Sequence, residues 1–172
     1  MPPSSQKYSN EATLYAAALR ALVRRAHSVF EMRTYLERRA ETQELARHVM
    51  TRLKQEKLID DARYTAEFAR SRARFRRQGR YRIARELRAR GVPDRHIDAA
   101  LAQAFAETDE RDLIRKIIER RTRGLRGSLD LKKMASLHRT LLRAGFESGL
   151  IRRELRAIAM DVPEVVASDE DV

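Results

Sequence analysis

Arginine is the residue whose crowding in this chain points to chemistry. Between residues 63 and 95 it stands at 63, 70, 72, 74, 76, 77, 80, 82, 85, 88, 90 and 95, against only Glu67, Glu86 and Asp94. A guanidinium presents a planar fork of donors that fits phosphate and carboxylate oxygens, and it stays charged at any ordinary pH. On a helix, Arg63, Glu67, Arg70, Arg74 and Arg77 share one stripe, while Tyr64, Phe68, Ser71 and Phe75 share another. The aromatic stripe is expected to face a core and the basic stripe to face solvent or a partner. Like charges one turn apart destabilise an isolated helix. A face this basic is relieved by an anion, either nucleic-acid phosphate or acidic protein side chains. The expected anion contacts are Arg70, Arg74, Arg77, Arg82, Arg85 and Arg88. A second basic group follows at Arg111, Arg115, Lys116, Arg120, Arg121, Arg123 and Arg126, partly offset by Asp109, Glu110, Asp112 and Glu119. Arg115 and Lys116 are the candidates it adds.

The rest of the chain supports no catalysis that can be read from its residues. There is no cysteine, which removes disulfides, thiolate metal sites and a thiol nucleophile together. His27, His48, His96 and His138 are not spaced at i,i+4 and have no metal-binding context, so each reads as a packing or surface residue. Gly124-Leu125-Arg126-Gly127 has the spacing of a KH loop but lacks that fold's strands, and reads as a turn. No phosphate-binding glycine motif is present. Adjacent Asp60 and Asp61 point in different directions from a helix start and serve as N-terminal caps rather than metal ligands. The expectation is a protein that is not an enzyme and holds no cofactor or metal.

The elements that position these arginines are helices. Apolar residues recur at helical spacing nearly throughout, and prolines are confined to 2, 3, 93 and 163. About nine helices are expected. Ser28 and Glu31 form a capping box that opens one of them. Gly79, Gly91 and Gly145 each follow an Arg-rich helical run and are expected as left-handed C′ residues, and Pro93 fits a first-turn position.

The chain also repeats itself. Met32, Ile83 and Leu137 align, as do Leu36, Leu87 and Leu141. The alignment continues through Ala40, Gly91 and Gly145, then Ala46, Ile97 and Ile151, then Met50, Leu101 and Leu155. A further helix precedes each pair, near 11–26, 61–77 and 109–123. The fold class expected is all-α, with three tandem three-helix repeats forming an elongated, curved array. Its parts are a flexible N-terminus (1–10), repeats at 11–58, 59–107 and 108–160, and an acidic C-terminal tail (161–172).

The strongest local signature is Leu58-Ile59-Asp60-Asp61-Ala62-Arg63-Tyr64-Thr65-Ala66-Glu67-Phe68. It is followed by Gly79-Arg80-Tyr81-Arg82-Ile83-Ala84-Arg85-Glu86-Leu87-Arg88-Ala89-Arg90-Gly91-Val92. Together with the repeat, this resembles the RecX family over roughly residues 12–158. That family enters its central repeat through a hydrophobic-Asp-Asp-x-x-Tyr/Phe-Ala motif. A Gly, a basic helix with a Leu and a Gly-hydrophobic turn then follow. On this sequence those positions are Asp60, Asp61, Tyr64, Phe68, Leu87 and Gly91. The chain departs from the pattern at Ala40-Glu41, where a Gly-hydrophobic pair is usual, and at Thr65, which shifts the small residue by one place.

The resemblance implies a negative regulator of RecA. Such proteins bind in the groove of the RecA–single-stranded-DNA filament and restrain its extension, ATP hydrolysis, strand exchange and co-protease action. The alternative from a different class is a direct DNA-binding module of helix-turn-helix type, which would discriminate strongly between duplex sequences. The expected partners are the RecA filament and, weakly and without sequence preference, single- or double-stranded DNA. The net charge of +12 suits such polyanions. No stretch approaches the ~20 apolar residues that span a membrane, and the N-terminus lacks an apolar signal region. A cytoplasmic monomer without a membrane partner is therefore expected.

Overall fold

The structure, a computed structural model, describes residues 7–123 and 130–160. The Gly124–Gly127 turn, Arg126 and the acidic tail lie outside the described residues, as does most of the N-terminal lead-in.

Nine helices are described: α1 (Glu11–Arg24), α2 (Val29–Arg39), α3 (Gln43–Gln55), α4 (Asp61–Arg76), α5 (Arg80–Arg88), α6 (Asp94–Glu107), α7 (Glu110–Thr122), α8 (Leu131–Ala144) and α9 (Ser148–Met160). They form three units of three helices, each around its own apolar cluster. Leu14, Met32, Leu36, Val49 and Leu53 centre the first. Ala69, Ala73, Ile83, Leu87 and Ile97 centre the second. Ile114, Ile118, Leu141, Phe146 and Ile151 centre the third. Every apolar position aligned by the internal repeat, the two turn glycines aside, is buried in its own unit. Phe105 alone packs against both the second and third clusters among the described residues. None of the described helices is long and apolar enough to cross a membrane.

Helix starts follow local chemistry. Ser28 accepts from Glu31 N–H (3.1 Å) while the Glu31 carboxylate accepts from Ser28 N–H (3.1 Å), closing the capping box. Asp60 caps α4 by accepting from Ala62 N–H (2.7 Å) and Arg63 N–H (3.1 Å). Three expectations are corrected. Gly79 is not a C′ residue: its φ is −79°, it caps α5, and the left-handed end of α4 is Arg77 at φ 50°. Pro93 is the N-cap of α6, one place before the first turn. The third concerns α4, which buries Tyr64, Thr65, Ala69 and Ala73, with Phe68 half-buried, while Ser71 and Phe75 are exposed. The helix is rotated so that Ala69 and Ala73 enter the cluster that Ile97, Ala100 and Ala104 of α6 also form. Small side chains let two backbones approach closely, and that approach sets the rotation rather than the bulk of Phe75.

The units join by one recurring device: the N-termini of the first two middle helices, α2 and α5, each meet the C-terminal end of the next unit's middle helix. At the first joint, Ser28 Oγ donates to Arg90 O (2.6 Å), Val29 N–H donates to Asp61 Oδ1 (2.8 Å) and the Arg90 guanidinium donates to Glu31 (3.0 Å). Burial raises the Glu31 carboxyl pKa, but hydrogen bonds from Arg25 and from Ser28 N–H and the nearby Arg25 and Arg90 charges bring it net below its ordinary value. At the second joint, Gly79 N–H donates to Ala144 O (2.9 Å) and Tyr81 N–H to Gly145 O (3.1 Å). Helix α5 gets no cap from Gly79 itself; the Ala144 and Gly145 carbonyls and the Glu110 carboxylate, which accepts from Arg80 N–H (3.3 Å), satisfy N–H groups at its start. Arg80 strengthens this joint through Glu110 (2.8 Å).

In the first unit, Ala40 stands where the later units have glycine. There Tyr8 closes the end, donating from N–H to Arg39 O (2.7 Å) and accepting from Glu41 N–H (2.9 Å). The lead-in is thus anchored at residue 8, and the departure of Ala40-Glu41 from the family turn has a physical cause.

Ser28 serves its helix and the first joint at once. Ser28→Ala is expected to lower stability by about 2 kcal/mol, combining a lost cap with a part-buried carbonyl at Arg90 left without its donor. Urea unfolding checks this, and a loss under ~0.5 kcal/mol, that of an ordinary surface change, counts against the double role.

Candidate functional site

The candidate arginines fall into two clefts and several ion pairs. Arg70 and Arg74, on the outer face of α4, line a cleft of about 360 Å³ with Lys116 of α7 and the acids Glu107, Asp109 and Asp112. Arg82 and Arg85, on α5, line a second cleft of about 480 Å³ with Tyr81, Leu142 and Arg143 at the joint between units two and three. Tyr81 is 59% exposed and Leu142 42%. This second cleft is incomplete in either unit alone, and the backbone hydrogen bonds of Gly79 and Tyr81 fix its walls.

Half of the candidate cations already have carboxylate partners. Arg70 pairs with Glu107 (3.4 Å), Arg82 with Glu86 (3.0 Å), Arg88 with Asp94 (2.7 Å) and Arg115 with Glu154 (2.7 Å). Glu86 also receives Arg72 (3.4 Å) and the Gln78 amide (3.1 Å). Burial works against its charge, yet hydrogen bonding from Arg82 and the Arg72 charge hold its carboxyl below the ordinary value. Glu154 is buried, so Arg115 and, at 4.0 Å, Arg111 balance a charge inside the third unit. Among the described residues, Arg74, Arg77, Arg85 and Lys116 have no carboxylate within 4.0 Å. Exposed pairs such as Arg88–Asp94 contribute only about 0–1 kcal/mol and open readily to a competing anion.

The signature residues hold the centre together. Leu87 and Ile83 are fully buried, and Tyr64 is nearly so. Tyr64 stacks obliquely on Phe68 at 6.0 Å, and the Phe68 ring carries the Arg72 and Arg90 guanidiniums at 4.7 and 5.1 Å. Asp61, expected only as a cap, also receives Val29 N–H from the first unit. Gly91 has φ 69°, and a Cβ there would lie 2.4 Å from the Phe30 ring. The Asp61 and Gly91 signature positions therefore build the joint between units one and two.

The histidines are dispersed. His27 is buried edge-on to Tyr35, at 6.4 Å between ring centroids, and burial followed by the Arg25 charge pushes its pKa down. His48 is exposed beside Glu11 (3.4 Å), and His138 lies 3.4 Å from Ser148 Oγ. No group of three His, Asp or Glu among the described residues is placed to hold a metal ion.

Missed from sequence was a cleft of the first unit, between α1 and α2, that gathers Arg20, Arg24, Arg25 and Arg39. The i,i+4 spacing of Arg20 and Arg24 was its available signal. The denser run after residue 63 obscured it.

Comparison with known proteins agrees with this architecture. The RecX first three-helix domain matches residues 15–53, and the RecX second three-helix domain matches residues 60–101. The Regulatory protein RecX of Trichlorobacter lovleyi is 34% identical over 143 residues, covering 81% of this chain and 91% of that protein. That of Halorhodospira halophila is 37% identical over 145 residues, covering 84% and 88%. The crystal structure of RecX from Lactobacillus salivarius superposes with a TM-score of 0.75 at 18% identity, over 87% of this chain and 97% of that one. A second crystal structure, of a regulatory protein RecX, gives a TM-score of 0.70 at 23% identity, over 83% and 70%. The structural matches establish a shared fold, and the sequence identity over nearly the whole length establishes kinship: the chain belongs to the RecX family of regulatory proteins.

Proposed function

We propose that this chain is a negative regulator of RecA. It lies as a monomer in the groove of the RecA–single-stranded-DNA filament and inhibits extension, ATP hydrolysis, strand exchange and co-protease action in the cytoplasm. The observation that carries the reading is the family membership of a chain whose stacked units expose unpaired cations on either side of one joint. Arg74, Arg77, Arg85 and Lys116 supply the primary anion contacts. Arg70, Arg82 and Arg88 join them by exchanging their intramolecular carboxylates for the partner's. Direct binding to DNA is weak and indifferent to sequence, since phosphate contacts carry no sequence information.

The test is ATP hydrolysis by the cognate RecA on single-stranded DNA, with this protein far below one copy per RecA. A strong drop at that ratio is expected, because competition for DNA sites alone needs far more protein. Arg85→Ala is expected to raise the half-inhibitory concentration about tenfold, the equivalent of roughly 1.4 kcal/mol, with the fold intact. No inhibition by the native chain, together with tight binding to particular duplex sequences, overturns the reading in favour of a helix-turn-helix DNA binder.

A further inference from the structure

The first unit holds a basic cleft that the proposed function does not use. It has a volume of about 500 Å³ and runs between α1 and α2, with Ala17 and Ala21 as its floor. Arg20 and Arg24 stand one turn apart along the α1 wall, Arg25 follows, and Arg39 enters from the end of α2. No Asp or Glu lines it. Among the described residues, Arg20, Arg24 and Arg39 have no carboxylate within 4.0 Å, and Arg25 is tied to Glu31 at 3.0 Å. The Arg70 cleft, by contrast, carries three acids beside its three cations.

The helix ends give a partial structural cause for this crowding. Cations in the last turns of α1 and α2 are favoured by the helix dipoles. That accounts for Arg24, Arg38 and Arg39 one by one, but not for the convergence of two helices' guanidiniums on one concavity with no counter-charge. The guanidinium of Arg39 is also held in place. The Arg39 guanidinium lies 4.0 Å over the Tyr35 ring, and the Tyr35 hydroxyl donates to Ala17 O (3.2 Å). Tyr8, from the N-terminal segment, closes the far end through its two backbone hydrogen bonds. A guanidinium held in this way loses less freedom on binding than a free one.

We infer that this cleft is a binding site for phosphate esters, separate from the basic surface of the second and third units. Guanidiniums spaced along a shallow trough on an alanine floor match a linear anion with one charge per unit length, laid along α1. A polynucleotide strand has that form, and a free nucleotide offers the same phosphate chemistry in shorter form. Carboxylates of an acidic peptide meet the same guanidinium forks, so an acidic polymer is the competitor in the test.

The experiment uses the full chain without RecA, so its outcome is independent of the filament reading. Binding of a fluorescent oligo-dT strand is measured across a salt series for the native chain, for Arg20→Ala with Arg24→Ala, and for Arg33→Ala with Arg47→Ala. The second pair removes the same charge from the same unit but lies on another cleft, with Glu37. The first pair is expected to weaken binding roughly tenfold and to flatten the slope of log K against log salt by about 1.4, near 0.7 for each lost contact on a single strand. The Arg33/Arg47 pair is expected to leave the slope unchanged. Replacing Arg20 and Arg24 by Lys keeps the charge and loses the fork, and an intermediate affinity is expected. Displacement of the strand by ATP at equal phosphate concentration assigns the site to free nucleotides; displacement only by oligonucleotide assigns it to strands. Equal losses for the two alanine pairs, no loss for either, or stronger displacement by poly-glutamate than by oligonucleotide overturns the inference.

Discussion

Gly145→Ala is expected to uncouple the third unit from the second. The residue sits at φ 93°, where a side chain is strained, and a Cβ would fall 2.3 Å from Arg82 Cβ and 2.4 Å from Arg82 N. The obstacle is the backbone of α5, so relief requires α5 and α8 to separate. Separation breaks the hydrogen bonds from Gly79 N–H to Ala144 O and from Tyr81 N–H to Gly145 O. Left-handed strain of about 1–2 kcal/mol and overpacking of about 1–3 kcal/mol combine to about 2–5 kcal/mol. In a stacked array the loss falls on the interface between neighbours. Urea unfolding followed at the third unit should therefore move to lower denaturant while the first unit is unchanged. Ala40→Gly supplies the contrast, since Ala40 occupies the equivalent position at φ −73°, outside the left-handed region. Its expected cost is about 0.5–1 kcal/mol, that of glycine flexibility alone. Equal effects at 40 and 145 would falsify the joint as described.

The second large effect is at Leu87. It is fully buried among Ile83, Ile97 and Leu101 in a core made of only three helices. Leu87→Ala is expected to cost about 2–5 kcal/mol, from lost burial and the cavity left behind. The upper half of that range is expected, because Val92 N–H donates to Leu87 O (3.2 Å) in the turn that carries Gly91. That turn resists collapse into the void. Since Gly91 packs against Phe30, the damage should also reach the first joint. Thermal unfolding of the whole chain measures it, and a loss below ~0.5 kcal/mol contradicts the core placement.

The repeat was legible because it is written in hydrophobic period. Met32, Ile83 and Leu137 recur with their partners at spacings that only stacked helices explain, and each is buried. Caps at Ser28 and Asp60 were legible because their partners lie within three residues. The orientation of α4 was not, since a pattern weighted by hydrophobicity favours Phe75 over Ala73. Packing rewarded the smaller residue, and Phe75 is left 74% exposed. The role of Gly79 was hidden for another reason: the atoms that forbid a side chain there belong to Gly145 and Phe146, in a different unit. The pairing of Arg115 with Glu154 is equally remote in sequence. A dense charge run marks where cations are, and only the fold tells which of them are already neutralised. The cleft of Arg20, Arg24 and Arg39 shows the converse, sparse charges in sequence that the fold gathers.

The joints also impose a chronology on synthesis. The middle helices α2 and α5 each receive a partner from a unit that lies downstream, so on the ribosome the start of α2 waits for Arg90 and the start of α5 waits for Gly145. Units emerge in order, and the first two each spend an interval with unclosed N–H groups at the start of the middle helix. A chain stopped after α6 would keep Gly79 and Tyr81 in that condition permanently. Release of the third unit from the ribosome is therefore the event that completes the second.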